Sequence, residues 1–275
     1  MRVAAVDLGT NTTRLLVADV VDGHVEELHR ESRITRLGEG VDARRRLLPV
    51  PIARVRNALT DYRRTAESLG AERTLAVATS AVRDADNGEA FLGEVEWSYG
   101  FATRLASGDE EAALTRSGVQ PGTGTLVVDI GGGSTELMLD DFHVSLQIGS
   151  ARFDEEVLAD LPDLSPSAAI GVGGTVAQLA VLVRPHRLSR ARAREQLERL
   201  SGMTLDERRT VLGMEPGRAP VIVAGAAILV AVLDRYALDE IEVSEHDILD
   251  GIALAAAELP APAEGDAPPG AYTCC

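Results

Sequence analysis

Short apolar runs broken by glycine- and hydroxyl-rich turns open each half of the chain. Val3 to Val6 runs into Asp7-Leu8-Gly9-Thr10-Asn11-Thr12-Thr13-Arg14-Leu15-Leu16, and a second apolar run ends at Val17. Thr125 to Val128 runs into Asp129-Ile130-Gly131-Gly132-Gly133-Ser134-Thr135-Glu136-Leu137-Met138, and its second run ends at Leu139. Each pattern predicts a strand, a tight turn and a strand, a hairpin whose turn leaves backbone N–H groups exposed. The two stretches overlay at an offset of 122 positions (129 − 7), close to half the chain. Two related lobes are the simplest explanation.

Between the hairpins the pattern is that of an α/β lobe. Ile52 to Leu69 has helical spacing with Gly70 as its stop, and Asp86 to Val95 reads as a second helix. Thr74 to Thr79 and Ala102 to Ala106 read as strands. Ser107-Gly108-Asp109-Glu110 is a capping-box start for a helix to about Arg116, and Pro121 to Gly124 is a turn-rich linker. The expected lobes are residues 1–120 and 121–259.

The second lobe is expected to hold a helix near Asp154 to Asp160 and a glycine turn over 171–175 that opens a helix to Val183. Helices follow over 189–200, 204–212 and 218–236, then a strand over 240–243. Ser244 is expected to cap a last helix ending near Glu258, and the stretch 260–275 reads as a disordered tail.

Composition narrows the function classes. The formal net charge is −16, which argues against nucleic-acid binding through a broad basic surface. All 27 basic residues are Arg, a side chain that grips phosphate oxygens with two donors at once. Cys274 and Cys275 are adjacent at the end of the chain and cannot staple a fold. The longest apolar run, Ala219 to Leu233, is interrupted by Pro220 and Gly225 and reads as a buried helix. A cytoplasmic protein without membrane or nucleic-acid partners is expected.

The repeated loops carry the candidate chemistry. Successive N–H groups in a glycine turn converge on an anion, and glycine lets the backbone approach it closely. Hydroxyls at Thr10, Thr12 and Ser134 add donors, and a carboxylate at the strand end, Asp7 or Asp129, suits a hydrated Mg²⁺. Gly173, Gly174 and Thr175 open a helix, whose N-terminus also favours anions. Glu110 is explained by the capping box. Glu111 is not, and reads either as a helix-start acid or as a base toward water. Arg83 lies just past a strand end, and Arg14 just past the first loop. Arg33, Arg36, Arg208 and Arg218 are further phosphate candidates.

In order, these motifs resemble the Ppx/GppA phosphatases, the exopolyphosphatases and guanosine pentaphosphate phosphohydrolases. The motifs are Asp7 to Thr12, Arg36 to Val41, Ala78 to Ala85, Ser107 to Ala112, Asp129 to Glu136 and Gly173 to Thr175. The resemblance implies a two-lobed actin-like ATPase fold, also described as ribonuclease H-like and shared with sugar kinases and heat-shock ATPases, with its active site in the interlobe cleft. It implies the short two-domain form common in actinobacteria, and often a homodimer. By position it makes Glu111 the base that deprotonates the attacking water. Asp129 and Glu136, with Asp7, would hold Mg²⁺ or Mn²⁺. Asn11, Arg14 and Arg83 would grip phosphate together with Gly131, Gly132, Gly133, Ser134 and the 173–175 loop. Two positions depart from the family pattern: Pro220, where many relatives have Asp, and Leu249, where many have Arg. The expected substrate is inorganic polyphosphate, short chains preferred, with pppGpp as the alternative and a non-catalytic phosphate sensor as the reading from another class.

Overall fold

The computed structural model describes residues 1–154, 156–183 and 187–260. Their contacts divide the chain into two units, Met1–Val119 together with the chain from Ile248, and Gln120–Asp247.

The first unit is built on a sheet of β1 (Arg2–Leu8), β2 (Thr12–Val21), β3 (His24–Ile34), β4 (Arg73–Ala78) and β5 (Ala102–Leu105), in the order β3-β2-β1-β4-β5. β1, β2 and β3 form an antiparallel meander, and β4 and β5 run parallel to β1. The helices are α1 (Val41–Arg44), α2 (Pro49–Ser68), α3 (Ser80–Arg83), α4 (Gly88–Tyr99) and α5 (Gly108–Val119). Residues of β1 alternate between two buried faces, which is why the strand is apolar almost throughout. Ala4, Val6 and Leu8 pack with Val55, Leu59 and Tyr62 of α2 and with Phe91 and Val95 of α4. Val3 and Ala5 face the other way.

The second unit holds β6 (Thr125–Ile130), β7 (Thr135–Leu139), β8 (Phe142–Leu146), β9 (Ala168–Val172), β10 (Arg187–Ser189) and β11 (Glu240–Val243). Its helices are α6 (Gly173–Val183), α7 (Arg190–Ser201), α8 (Leu205–Arg209) and α9 (Ile222–Arg235), and the sheet order is β10-β11-β9-β6-β7-β8. Leu126, Val128 and Ile130 of β6 share one core with Val176 and Leu179 of α6 and with Ile222, Ala226 and Leu229 of α9.

Without the edge strand β10, the second sheet repeats the first strand for strand and with the same polarity. The turns repeat as well: Gly9 N–H donates to Thr12 O at 3.0 Å and Gly131 N–H to Ser134 O at 3.0 Å. Each unit therefore has the ribonuclease H-like topology of actin-like ATPases.

Three expectations need correction. The second lobe does not run to residue 259: the chain returns to the first unit as α10 (Ile248–Glu258). There Ile248, Leu249, Ile252, Ala253 and Ala256 cover the face of the first sheet formed by Val3, Ala5, Leu16, Leu75 and Val77. Leu249 is a core residue, so the departure at this position serves packing. Ser244 does not cap this helix: its hydroxyl accepts from His246 N–H and donates to His246 O, in the loop before it. The helix expected over 218–236 starts only at Ile222, after the turn that contains Pro220. The tail expectation, for residues 261–275, lies outside the described residues.

Candidate functional site

In the first unit the candidate residues gather where the strands end. β4 delivers α3 and with it Arg83; β5 delivers Ala106, Ser107 and then α5. Ser107 and Glu110 form the capping box: Ser107 N–H donates to Glu110 Oε2 at 2.8 Å, and Glu110 N–H to Ser107 Oγ at 3.2 Å. Hydrogen bonding of the Glu110 carboxyl to the backbone and side chain of Ser107 holds it below its ordinary value. Glu110 is thereby spent on the cap. Glu111, one residue on, is buried, and Arg83 NH1 lies 3.5 Å from its Oε2 while donating to Ala106 O at 2.6 Å. The structure thus brings Glu111 and Arg83 together.

The first hairpin turn contributes Thr10, Asn11 and Thr12. Asn11 is buried, and its carbonyl accepts from Thr35 N–H and Arg36 N–H. Arg14 and Asp7 face each other across β1 and β2, and both Nε and NH2 of Arg14 reach Asp7 Oδ2 at 2.8 Å. Arg33, one of the further candidates, is engaged by Glu31 and Asp61.

In the second unit Asp129 and Glu136 face each other across β6 and β7. Both are buried, and Glu136 Oε1 accepts from Ser145 Oγ at 2.9 Å. Side chains of directly opposed residues lie on one face, and like charges there repel. Asp129 also reaches the start of α6. Gly173 has φ +77, and a Cβ built on it would stand 2.5 Å from Asp129 Oδ1. Gly173 therefore serves both its own backbone conformation and the approach of the carboxylate.

The arginine at the α6 loop is Arg218 and not Arg208. The Arg218 guanidinium fills the space a side chain on Gly174 would need, and its Nε donates to Glu215 Oε2 at 2.7 Å. Arg208 is used elsewhere, donating to Leu200 O and Met203 O at the end of α7. Sequence reasoning also missed Gln178 and Ser145. Gln178, buried on α6, donates to Gly213 O and accepts from Glu215 N–H, and so fixes the loop that carries Arg218. A polar residue among the apolar positions of α6 was the available signal. Ser145 lies on β8, and no feature of its sequence marks it. Thr175 is buried against Gly225 of α9.

The donor set of the second hairpin fits a divalent cation. Among the described residues no three His, Cys, Asp or Glu side chains cluster to hold a metal. Two opposed carboxylates suit an ion such as Mg²⁺ that keeps water and phosphate oxygens as its remaining ligands. The first hairpin lacks this donor set, because Arg14 already offsets the charge of Asp7.

The Ppx/GppA phosphatase family matches residues 16–167 and 164–258. The chain belongs to the Ppx/GppA phosphatase family. Among its relatives in that family, exopolyphosphatase 2 of Mycobacterium tuberculosis is 39% identical over 93% of this chain and 98% of its own. A guanosine-5'-triphosphate,3'-diphosphate pyrophosphatase of Vibrio vulnificus is 27% identical over 91% of this chain and 58% of its own. Among solved structures, an exopolyphosphatase-like protein matches with a TM-score of 0.85 at 30% identity, over 92% of this chain and 97% of its own. The Aquifex aeolicus Ppx/GppA family member matches with a TM-score of 0.75 at 27% identity, over 93% and 97%.

Proposed function

We propose that this family member is an exopolyphosphatase that releases terminal phosphate from inorganic polyphosphate by water attack, with short chains preferred. The observation that carries the reading is the pair Asp129 and Glu136, two acids at the register position where the first hairpin has an acid and an arginine. A repeated hairpin that keeps opposed acids beside a triple-glycine turn offers carboxylates that would suit a cation and backbone N–H groups that would suit phosphate. The relative named exopolyphosphatase 2, aligned over nearly the whole of both chains, supports the same reading.

Glu111 accepts the proton of the attacking water. The new O–P bond forms as the bridging O–P bond breaks, and the leaving chain departs one phosphate shorter. In the first unit Arg83 is the phosphate-binding arginine of this reading; in the second, Arg218 and the backbone N–H groups of the 131–134 turn and of the start of α6 have that role. Thr10, Asn11 and Thr12 bind through the first turn, and Arg14 with Asp7 fixes that turn's strands. Asp129 and Glu136 would hold Mg²⁺ or Mn²⁺, which when bound would neutralise developing charge on the phosphoryl oxygens. No described helix is long and apolar enough to cross a membrane. A homodimer belongs to this reading through the family resemblance, and a cytoplasmic location through the composition.

Hydrolysis of pppGpp is the second reading, because relatives of that activity align with this chain. Phosphate release from tripolyphosphate with Mg²⁺ and no acceptor tests the proposal. Steady release supports it; binding without turnover would make the protein a sensor, and a strict need for an acceptor alcohol would make it a kinase.

A further inference from the structure

We infer that the segment after the third strand of each sheet, residues 35–38 and 149–152, is a positioning brace that turns the N–H groups of its hairpin turn toward phosphate. The inference rests on the phosphate-binding role proposed above and assigns it a mechanical cause.

In the second unit every carbonyl of the glycine turn is held from one side. Ser150 N–H and Oγ donate to Gly131 O at 2.9 and 3.2 Å, and Ala151 N–H donates to Gly132 O at 2.7 Å. Arg152 NH1 lies 3.4 Å from Gly133 O and also donates to Gln147 Oε1 at 3.0 Å. In a planar trans peptide, the C=O of one residue and the N–H of the next point in opposite directions. Holding the carbonyls of residues 131, 132 and 133 therefore turns the N–H groups of Gly132, Gly133 and Ser134 the other way. Among the described residues none of these three N–H groups donates a hydrogen bond to protein. Gly133 and Ser134 are nonetheless buried, where an unpaired N–H is rare. Three such donors in successive residues form an anion-binding concavity.

The first unit carries the same device. Gly38 N–H donates to Thr10 O at 2.9 Å, and Thr35 and Arg36 N–H donate to Asn11 O at 3.1 and 2.9 Å. Thr10 and Asn11 correspond to Gly132 and Gly133 at the 122-residue offset (132 − 10; 133 − 11). Thr35-Arg36-Leu37-Gly38 and Gly149-Ser150-Ala151-Arg152 do not match in order, so the common feature is the hydrogen-bond direction. Close approach seals the second brace: a Cβ on Gly149 would stand 2.5 Å from Gly132 O and 2.7 Å from Gly133 N.

Gly149→Ala and Ser150→Ala test the inference in the full chain. Binding of tripolyphosphate without metal is measured by calorimetry, and KM and kcat for its Mg²⁺-dependent hydrolysis beside it. The expected result is a dissociation constant and KM raised by about tenfold or more in Gly149→Ala and a few-fold in Ser150→Ala, with kcat less affected and thermal unfolding of Ser150→Ala near wild type. If Gly149→Ala does not fold, Ser150→Ala alone decides. Unchanged affinity and KM in folded variants of a wild type that hydrolyses polyphosphate would overturn the brace and leave the proposed reaction standing. A wild type that neither binds nor hydrolyses tripolyphosphate would overturn both.

Discussion

Asp129 and Glu136 face each other across the second hairpin at the register position that Asp7 and Arg14 occupy across the first. The same backbone thus carries an internal ion pair in one unit and two opposed acids in the other. In the first, attraction within the pair holds the strand ends. In the second, two acids of like charge stand opposed, the arrangement on which the proposed metal site rests.

Replacing Ser145 with Ala removes the hydroxyl that holds Glu136 Oε1. The activating Mg²⁺ concentration is expected to rise about tenfold or more, the usual cost of losing a supporting partner of a metal ligand. Metal titration of phosphate release checks this. The same change at saturating Mg²⁺ should leave kcat close to wild type.

The two arginines of the second unit should separate cleanly. Arg218→Ala is expected to raise KM for polyphosphate strongly with little loss of stability. Arg208→Ala should leave KM unchanged and lower stability by about 1–3 kcal/mol, because Leu200 O and Met203 O both lose the guanidinium that donates to them. Thermal unfolding beside steady-state kinetics reads both.

Adjacent glutamates of α5 should separate in the same way. Glu110→Ala breaks the capping box and is expected to cost about 0.3–1.5 kcal/mol while sparing turnover. Glu111→Gln should do the reverse.

Acid sensitivity follows from the two capping boxes. Ser107 holds Glu110, and Thr204 holds Glu207, below the ordinary glutamate value of 4.5 in the folded chain. Depressed folded values mean that both caps contribute fully above pH 4.5 and are lost as the pH falls below it through the folded values. Replacing both glutamates with Gln should flatten the fall in melting temperature between neutral and acid pH. An unchanged slope would contradict this account of the caps.

Much of this was legible in the sequence because local rules and tertiary demands agreed. The hairpin repeat was visible since apolar runs, acids and glycines recur in phase, and the structure closes both turns with the same hydrogen bond. β3 lacks an apolar run and carries many charged residues, as in His24-Val25-Glu26-Glu27, while β8 alternates apolar and polar positions over only the five residues from Phe142 to Leu146, so neither stands out. α10 was placed with the wrong unit because its apolar face tells that it packs, and not against which sheet. The sequence does not separate Arg208 from Arg218, since it gives the charge but not the direction of a guanidinium. Gly174, which makes room for Arg218, was visible only as part of a loop.

The central claim is tested most directly by phosphate release from tripolyphosphate, long-chain polyphosphate and pppGpp with Mg²⁺, in wild type and Glu111→Gln. The account predicts release from polyphosphate by the wild type that falls on the order of 10²–10⁴-fold in the variant, whose melting temperature is unchanged. Release from pppGpp alone would contradict the substrate, and a variant as active as wild type would contradict Glu111 as the base.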